Sequence, residues 1–527
     1  MKKPSEIDER PEQLRPPVVK EVGVTESERY LASLAEKSFL NLWSYPSPYR
    51  DQKTGGNGRG DGKELCDLLV VCGDHIIIFS EKNIDWPSGE LTVAWVRWVK
   101  RAVLAAAKQA KGAERWIVEH PSRIFLDRNC EHRFPIDLPK PETRKFHHVI
   151  VARGASDQCK KHLAGHSGSL MIQPNLKGDM NWPKDPSKAG PFTIGDVSPE
   201  GPFVHVLDDV SLDIVMQELD TIRDFTDYLE KKEDFVRSGQ LHLAHGEENL
   251  LAYYAIRVNE DGDHDFVLDD TSSPITIASN HYKAWISDPQ YFAKKDADKV
   301  SYVWDKFTTL FTEHMLNGTS ITLDDHEFKL SRNELGVRYM ALEMRFRRRS
   351  HGEAIMGALE RGITEDAFFR MMLAPADARD NETGFFIMTF KYLDWMEERG
   401  GYEQYRRKRT ERATIYAQGV LEKYPHLKRI VGISREPPKQ GRGVSEDLIY
   451  FEQSDWSDEE RQRIKENCEE LGILQQPLKI QPVDDDEYPE LTHVFFERPN
   501  APRRDMPNRE QRRKQAARRR NLRQKNR

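Results

Sequence analysis

A mixed α/β, multidomain chain is what this sequence predicts, and three patterns predict it. Two apolar runs of strand length, roughly 64–72 and 75–82, are split by Gly73-Asp74; that is turn chemistry, and it sends a strand back antiparallel. Helical periodicity stands on both sides. Leu31, Leu34, Ala35, Ser38, Phe39 and Leu42 share one helix face before the runs, and a long helix from about 90 to 111 follows them. The same mixture of strands and helices returns after residue 384.

Length and composition bound the rest. A chain of 527 residues suits about two to four domains. It is 38% hydrophobic and 32% charged, with a mean hydropathy of −0.74, so polar linkers and tails should surround its cores. No apolar run approaches the ~18 residues of a membrane span, and no membrane association is expected. Residues 1–17 are charged and Pro-rich without an apolar stretch, which argues against a secretory signal. Cys66, Cys72, Cys130, Cys159 and Cys468 are scattered and odd in number, as reduced thiols in a cytoplasmic protein would be. Charge is unevenly placed. From 503 to 527 there are ten Arg and two Lys against Asp505 and Glu510, a segment of +10 in a chain of net −7, so the remainder carries −17. A basic tail on an acidic body suits contact with a polyanion, nucleic acid above all; a solubilising tail is the plainer alternative.

Taken in order, 1–24 reads as a disordered lead. Thr25-Glu26-Ser27-Glu28 is a capping box that starts the first helix, and Pro46 and Pro48 close that region. A Gly-rich loop runs from Gly55 to Gly62, the two strands follow, and Pro87-Ser88-Gly89 breaks the chain before the long helix, which should stop at Gly112. Strands are expected at 116–118 and 148–152. Residues 25–175 thus read as one α/β unit. From 155 to 205 the chain is rich in Gly, Pro, Ser and Asp, suggesting loops with a boundary near 175–195. The middle region, 176–383, reads as mainly helical, with a short β interruption at 266–268. One helix near 334–360 carries Arg338, Arg345, Arg347, Arg348 and Arg349. A small C-terminal α/β unit, 384–497, has strands at 427–433 and 448–451 and a helix N-capped by Ser457. Residues 498–527 form a low-complexity, basic, disordered tail.

The hairpin carries the chemistry. Asp67 opens its first strand, Glu81-Lys82 closes the second, Glu64 lies just ahead, and Glu28 sits on the preceding helix. Metal-dependent phosphodiester hydrolysis needs carboxylates to hold the ion and a lysine to orient water or neutralise the phosphorane. Asp67 lies between Cys66 and Leu68, where an unpartnered carboxylate is costly; a metal or Lys82 would be its partner, an ordinary ion pair being the plain alternative. Glu28 is explained by the capping box alone, yet it lies near the inward helix face. Lys82 follows the Ile-Ile-Ile-Phe run, at the rim of a buried sheet.

With these residues in place, 25–175 resembles the PD-(D/E)xK, or restriction-endonuclease-like, nuclease superfamily: an acid-bearing helix, a hairpin carrying Asp and then (Asp/Glu)-x-Lys, and a following helix. The resemblance implies an N-terminal restriction-endonuclease-like core and a Mg²⁺ (or Mn²⁺) cofactor held by Asp67 with Glu64 or Glu28. Lys82 would be the catalytic cation. One departure matters. The family's second acid stands two residues before the lysine, and here that position is Ser80. Glu81 is next to Lys82 and should point to the other sheet face. Three outcomes stay open: a bulge brings Glu81 round, Glu64 or Glu28 takes over the acid role, or the site is inactive and the fold is a nucleic-acid-binding scaffold.

Other motifs say less. Lys63 after the Gly-rich loop is no P-loop, since Asn57 and Glu64 replace its glycine and its Ser/Thr. Cys159, His162 and His166 have C-x2-H-x3-H spacing but no fourth ligand nearby. His242, His245, Glu247 and Glu248 do not form H-E-x-x-H and read as a polar helix-to-loop junction. No G-x-S-x-G elbow occurs, and His166-Ser167-Gly168-Ser169 reads as a loop. Trp95 and Trp98 interleave with Arg97, Lys100 and Arg101, which suits either nucleic acid or a core helix, with Trp98 better suited to core. Arg345 to Arg349 could meet phosphate or salt-bridge to Glu343 and Glu353.

The expected function is metal-dependent cleavage of nucleic acid, DNA ahead of RNA. Arg97, Arg101 and the tail residues Arg512, Arg513, Arg518, Arg519 and Arg520 would hold the substrate, and a defence or repair role is suggested by analogy alone. The alternatives are a catalytically degenerate nucleic-acid-binding scaffold and a protein-interaction module without a nucleic-acid role.

Overall fold

The computed structural model describes residues 14–51, 62–268, 273–322, 328–374, 380–438, 445–475 and 486–489. Within these, 19–297 with 486–489 form one compact α/β unit, and 298–475 with 14–18 form a second. The Gly-rich loop and the basic tail, with Arg512, Arg513 and Arg518 to Arg520, lie outside the described residues.

The first unit begins with α1 (Glu26–Phe39). Its capping box forms: the Glu28 amide donates to Thr25 Oγ1 and the Thr25 amide to Glu28 Oε2, each at 3.2 Å. Then come β1 (Ser44–Pro46), β2 (Tyr49–Asp51), β3 (Gly62–Glu64), β4 (Leu68–Cys72) and β5 (His75–Asn83). Gly73 turns the β4–β5 hairpin at φ 58°, where a side chain would be strained. α2 (Leu91–Val99) passes through a π-turn at Lys100–Leu104 into α3 (Ala105–Glu119). The elements β6 (Ile124–Phe125), β7 (Lys145–Arg153), α4 (Ser156–His162), β8 (Met171–Lys177), β9 (Thr193–Asp196), β10 (Val204–Asp208), α5 (Ser211–Glu218) and α6 (Ile222–Arg237) follow. The unit ends with β11 (Leu241–Ala244), α7 (Glu247–Ala255), β12 (Ile275–Ile277), α8 (His281–Ile286) and α9 (Pro289–Ala297).

Its main sheet has five strands in the order β1-β4-β5-β7-β10. β1–β4 and β4–β5 are antiparallel; β5–β7 and β7–β10 are parallel. β4 and the middle of β5 and β7 are buried on both faces, which is why they read as unbroken apolar runs. On one face α1 and α6 meet through Phe39, Phe79 and Phe225, with the Phe39 and Phe225 centroids 5.0 Å apart. On the other, α3 crosses β5 and β7. β8, β9, β11 and β12 form a four-stranded sheet, and β2, β3 and β6 a three-stranded one.

Four readings are corrected here. The long helix does not stop at Gly112, and 116–118 is helix, not strand: Ala106, Ala110, Ala113 and Ile117 are buried along one continuous face. Gly112 has open space beside it, so it costs only propensity. Residues 155–205 contain α4, β8, β9 and the start of β10, and position 175 lies inside β8, which pairs with β9 and β11. No strand forms at 266–268, and β11 and β12 stand on either side.

The second unit holds α10 (Tyr302–Leu316), α11 (Leu330–Ala341), α12 (Arg345–Thr364), β13 (Ala367–Met372), β14 (Thr383–Phe390), α13 (Gly401–Lys423), β15 (Arg429–Arg435), β16 (Glu446–Glu452) and α14 (Asp458–Glu470). The fourth correction is that the single helix expected near 334–360 is two, α11 and α12, with Met344 as an extended N-cap between them. The sheet order is β13-β14-β15-β16, with β14 and β15 parallel. Gly432 lies opposite Phe386, whose ring occupies the space a Cβ would need. The 384–497 reading recovered β15, β16 and the Ser457 cap but missed that α11 and α12 pack on the same sheet.

Candidate active site

The register of the hairpin determines which side chains meet. Leu68 pairs with Phe79, and the Asp67 amide donates to the Phe79 carbonyl at 3.2 Å. Asp67 therefore lies opposite Ser80, on the sheet face that also carries Lys82. Asp67 Oδ2 is 3.7 Å from Lys82 Nζ and accepts from the Glu81 amide at 2.5 Å. Asp67 is 5% exposed, whereas the Lys82 side chain is 30% exposed. The carboxylate is thus fixed, and the ammonium stands at the rim.

Gln109 on α3 was not assigned a role from sequence. Its amide donates to Asp67 Oδ1 at 3.5 Å, and its Oε1 accepts from the Ser80 hydroxyl at 3.1 Å. The signal was present: Gln109 interrupts the stripe of Ala106, Ala110 and Ala113 that packs on the sheet.

Glu81 goes the other way. β5 pairs with β7 without interruption from His75↔Lys145 to Asn83↔Arg153, so no bulge turns Glu81 toward Lys82. Its carboxylate is buried and bonded to Arg153 Nε at 2.5 Å. Arg153 ends β7 and in turn lies over the Tyr30 ring of α1. Sequence carried no signal for this pairing beyond a basic residue closing an apolar run.

The remaining acids gather around Asp67. Glu64 Oε1 is buried beside the Ser47 hydroxyl. Burial, and then the Asp67 charge, push the Glu64 carboxyl above its ordinary range. Burial also raises Asp67, with Lys82 opposing and Glu28 adding repulsion. Burial raises Glu81 too, against the pull of Arg153. Glu28 is near enough to repel Glu64, Asp67 and Glu81, although its Oε2 serves the α1 cap through the Val24 amide at 2.7 Å. Asp67 and Lys82 thus meet on one sheet face with Glu64 near enough to repel Asp67, and Glu81 turns to the opposite face.

The other expected contacts sort differently. Arg97 and Arg101 are exposed. Trp95 and Trp98 are both buried and stacked 5.4 Å apart, so neither is open to a base. Arg345 and Arg348 both bind Asp305, and Arg349 binds Asp298, each at 2.7 Å. Arg347 lies 3.9 Å from Glu343. Arg345, Arg348 and Arg349 are thus held by acids in the core of the second unit.

Cys159 Sγ is 3.7 Å from His166 Nδ1, but His162 stacks on Phe192 instead, and burial pushes the thiol up to about 12. Glu247 pairs with Lys232 at 2.6 Å, and Glu248 accepts from the Ser167 hydroxyl at 2.7 Å. The His242–Glu248 segment is therefore a strand-to-helix junction. No helix among the described residues is long and apolar enough to cross a membrane. Comparison of the chain with protein-family models, curated proteins and solved structures finds no match.

Proposed function

We propose that the first unit is a metal-dependent nuclease hydrolysing nucleic acid phosphodiesters. The observation that carries this reading is the buried Asp67 carboxylate 3.7 Å from the Lys82 ammonium at one end of the central sheet, with the Glu64 carboxyl near enough for the two acids to repel. A helix, a three-strand antiparallel β1-β4-β5 layer, a crossing helix and a parallel β7 also suit the restriction-endonuclease-like resemblance.

The donor type, carboxylate oxygen, suits a hard divalent cation. Carboxylate oxygens are what Mg²⁺ or Mn²⁺ takes, and two partly buried acids that repel each other lack the compensating charge a cation brings. Asp67 with Glu64 would hold the ion, since Glu28 is engaged in the α1 cap. When bound, it would lower the pKa of a coordinated water and offset charge on the phosphorane. Lys82 is partly exposed and 3.7 Å from Asp67, placed to orient the attacking water or to neutralise the transition state. The Glu81 amide and Gln109 hold the Asp67 carboxylate in place. Arg97 and Arg101, exposed on the same helical arm, would add phosphate contacts.

A second reading rests on Ser80. The position two before the lysine holds a hydroxyl committed to Gln109, and the neighbouring acid is committed to Arg153. A scaffold that binds nucleic acid without cutting it would look like this.

Cleavage of plasmid DNA, single-stranded DNA and RNA with Mg²⁺ or Mn²⁺ separates the two. Activity that EDTA, Asp67→Ala and Lys82→Ala each abolish supports the nuclease. Binding without turnover supports the scaffold. Cleavage that survives both substitutions removes this site from the reaction.

A further inference from the structure

At the other end of β5 lies a second cluster, independent of the nuclease reading. His75 opens β5, His147 lies near the start of β7, and Glu230 projects from α6. One donor atom from each lies within 4.8 Å of the others. His75 Nδ1 is 3.0 Å from His147 Nε2 and 3.8 Å from Glu230 Oε1. Donors bound tetrahedrally at ~2.0–2.1 Å stand about 3.3 Å apart, so these spacings bracket a metal polyhedron.

We propose that His75, His147 and Glu230 bind a transition-metal cation of the zinc type, with two imidazole nitrogens, one carboxylate oxygen and a fourth position open to water. Imidazole with carboxylate is a donor set for zinc, cobalt or nickel; Mg²⁺ prefers oxygen alone. Both histidines sit on paired strands, in register through His75↔Lys145 and Ile77↔His147, so the two nitrogens are prepositioned. His147 is 5% exposed, and the His75 and Glu230 side chains are 14% and 36% exposed; the cluster is anchored from below and reachable from solvent. Burial first, helped by Lys145 for His75 and by His75 for His147, pushes the imidazoles down to about 4 and about 3. His75 Nδ1 and His147 Nε2 share one proton in their hydrogen bond, and the cation would take its place.

Lys145 Nζ now holds Glu230, at 2.8 Å from Oε1 and 3.1 Å from Oε2. An ammonium thus supplies the positive charge the carboxylate requires. The Lys145 side chain is half exposed, so giving up this ion pair for a dication costs little.

The test uses the full chain, stripped with EDTA and titrated with ZnCl₂ by calorimetry, then with CoCl₂ by visible absorption. Wild type should take up one Zn²⁺ that Glu230→Gln and His75→Ala weaken at least about 100-fold, more than the loss of an outer-shell partner costs. Bound Co²⁺ should show tetrahedral absorption that both variants lose. Asp67→Ala should leave Zn²⁺ uptake at this site unchanged, which separates it from the carboxylate site. Glu230 lies on a partly exposed helix face, so its variant folds even if a histidine variant does not. Zn²⁺ affinity equal in wild type and Glu230→Gln, or no stoichiometric uptake by wild type, overturns the proposal.

Discussion

Lys82 and His75 stand at opposite ends of the same strand, seven residues or ~23 Å apart at ~3.3 Å per residue. At the Lys82 end, the buried Asp67 carboxylate faces one partly exposed ammonium, with Glu64 nearby. At the His75 end, two imidazoles face one carboxylate already neutralised by Lys145. Burial acts on both ends and disfavours the charged form at each. It therefore raises the carboxyls at one end and lowers the histidines at the other. The difference teaches that one strand can present carboxylates at one end and imidazoles at the other, because each end is finished by different elements: the β3 margin at one, α6 at the other.

The comparison can be broken in four ways, taken from the largest effect down. Asp67→Ala should cut Mg²⁺-dependent cleavage by about 10³-fold, roughly 4 kcal/mol of transition-state stabilisation, while Zn²⁺ uptake persists. Loss of both functions together would mean that the ends are not separate. Arg153→Ala leaves the buried Glu81 carboxylate without its counter-charge, and should destabilise the first unit by about 3–5 kcal/mol; denaturant unfolding reads this directly. A change under 1 kcal/mol would mean that Glu81 is free to serve the site. Lys82→Ala should lower cleavage about 10²-fold and, because it removes the charge facing the buried Asp67 carboxylate, should also lower stability, though less than Arg153→Ala since the ammonium is partly exposed.

The smallest effect is on pH dependence in EDTA. His147 binds a proton more readily when unfolded, at ~6.5, than when folded, at about 3. Its contribution to stability is complete above pH 6.5 and is lost as pH falls. About 2 kcal/mol from His147 should go between pH 6.5 and 5, and His147→Gln should lessen that slope, with His75, lowered to about 4, acting over the same range. Asp67 works in the opposite sense, because its raised carboxyl adds a penalty as pH climbs past ~4. A wild-type profile that is flat from pH 6.5 to 5 would contradict the neutral, buried histidine.

Much of this was readable along the chain. Both capping boxes or caps, at Thr25 and Ser457, formed as their local sequence requires; so did the Gly73-Asp74 hairpin. These are decided within four residues by hydrogen bonds the chain makes to itself. The departure at Ser80 was also legible, because strand alternation alone turns Glu81 from Lys82. Gly112 misled because glycine ends a helix only where the chain must turn, and here the alanine face continued to Ile117.

Local sequence, then, determined the hairpin, the Asp67–Lys82 juxtaposition and the mixed α/β class, since periodicity and turn chemistry act between near neighbours. Tertiary structure alone decided which distant residue completes each one. Gln109 reaches Asp67 only because α3 crosses the sheet, Arg153 meets Glu81 only because β7 pairs parallel with β5, and Glu230 joins His75 and His147 only because α6 packs on that face. Such pairings span 42 to 155 positions of sequence. No local pattern encodes them; packing and strand order bring them together.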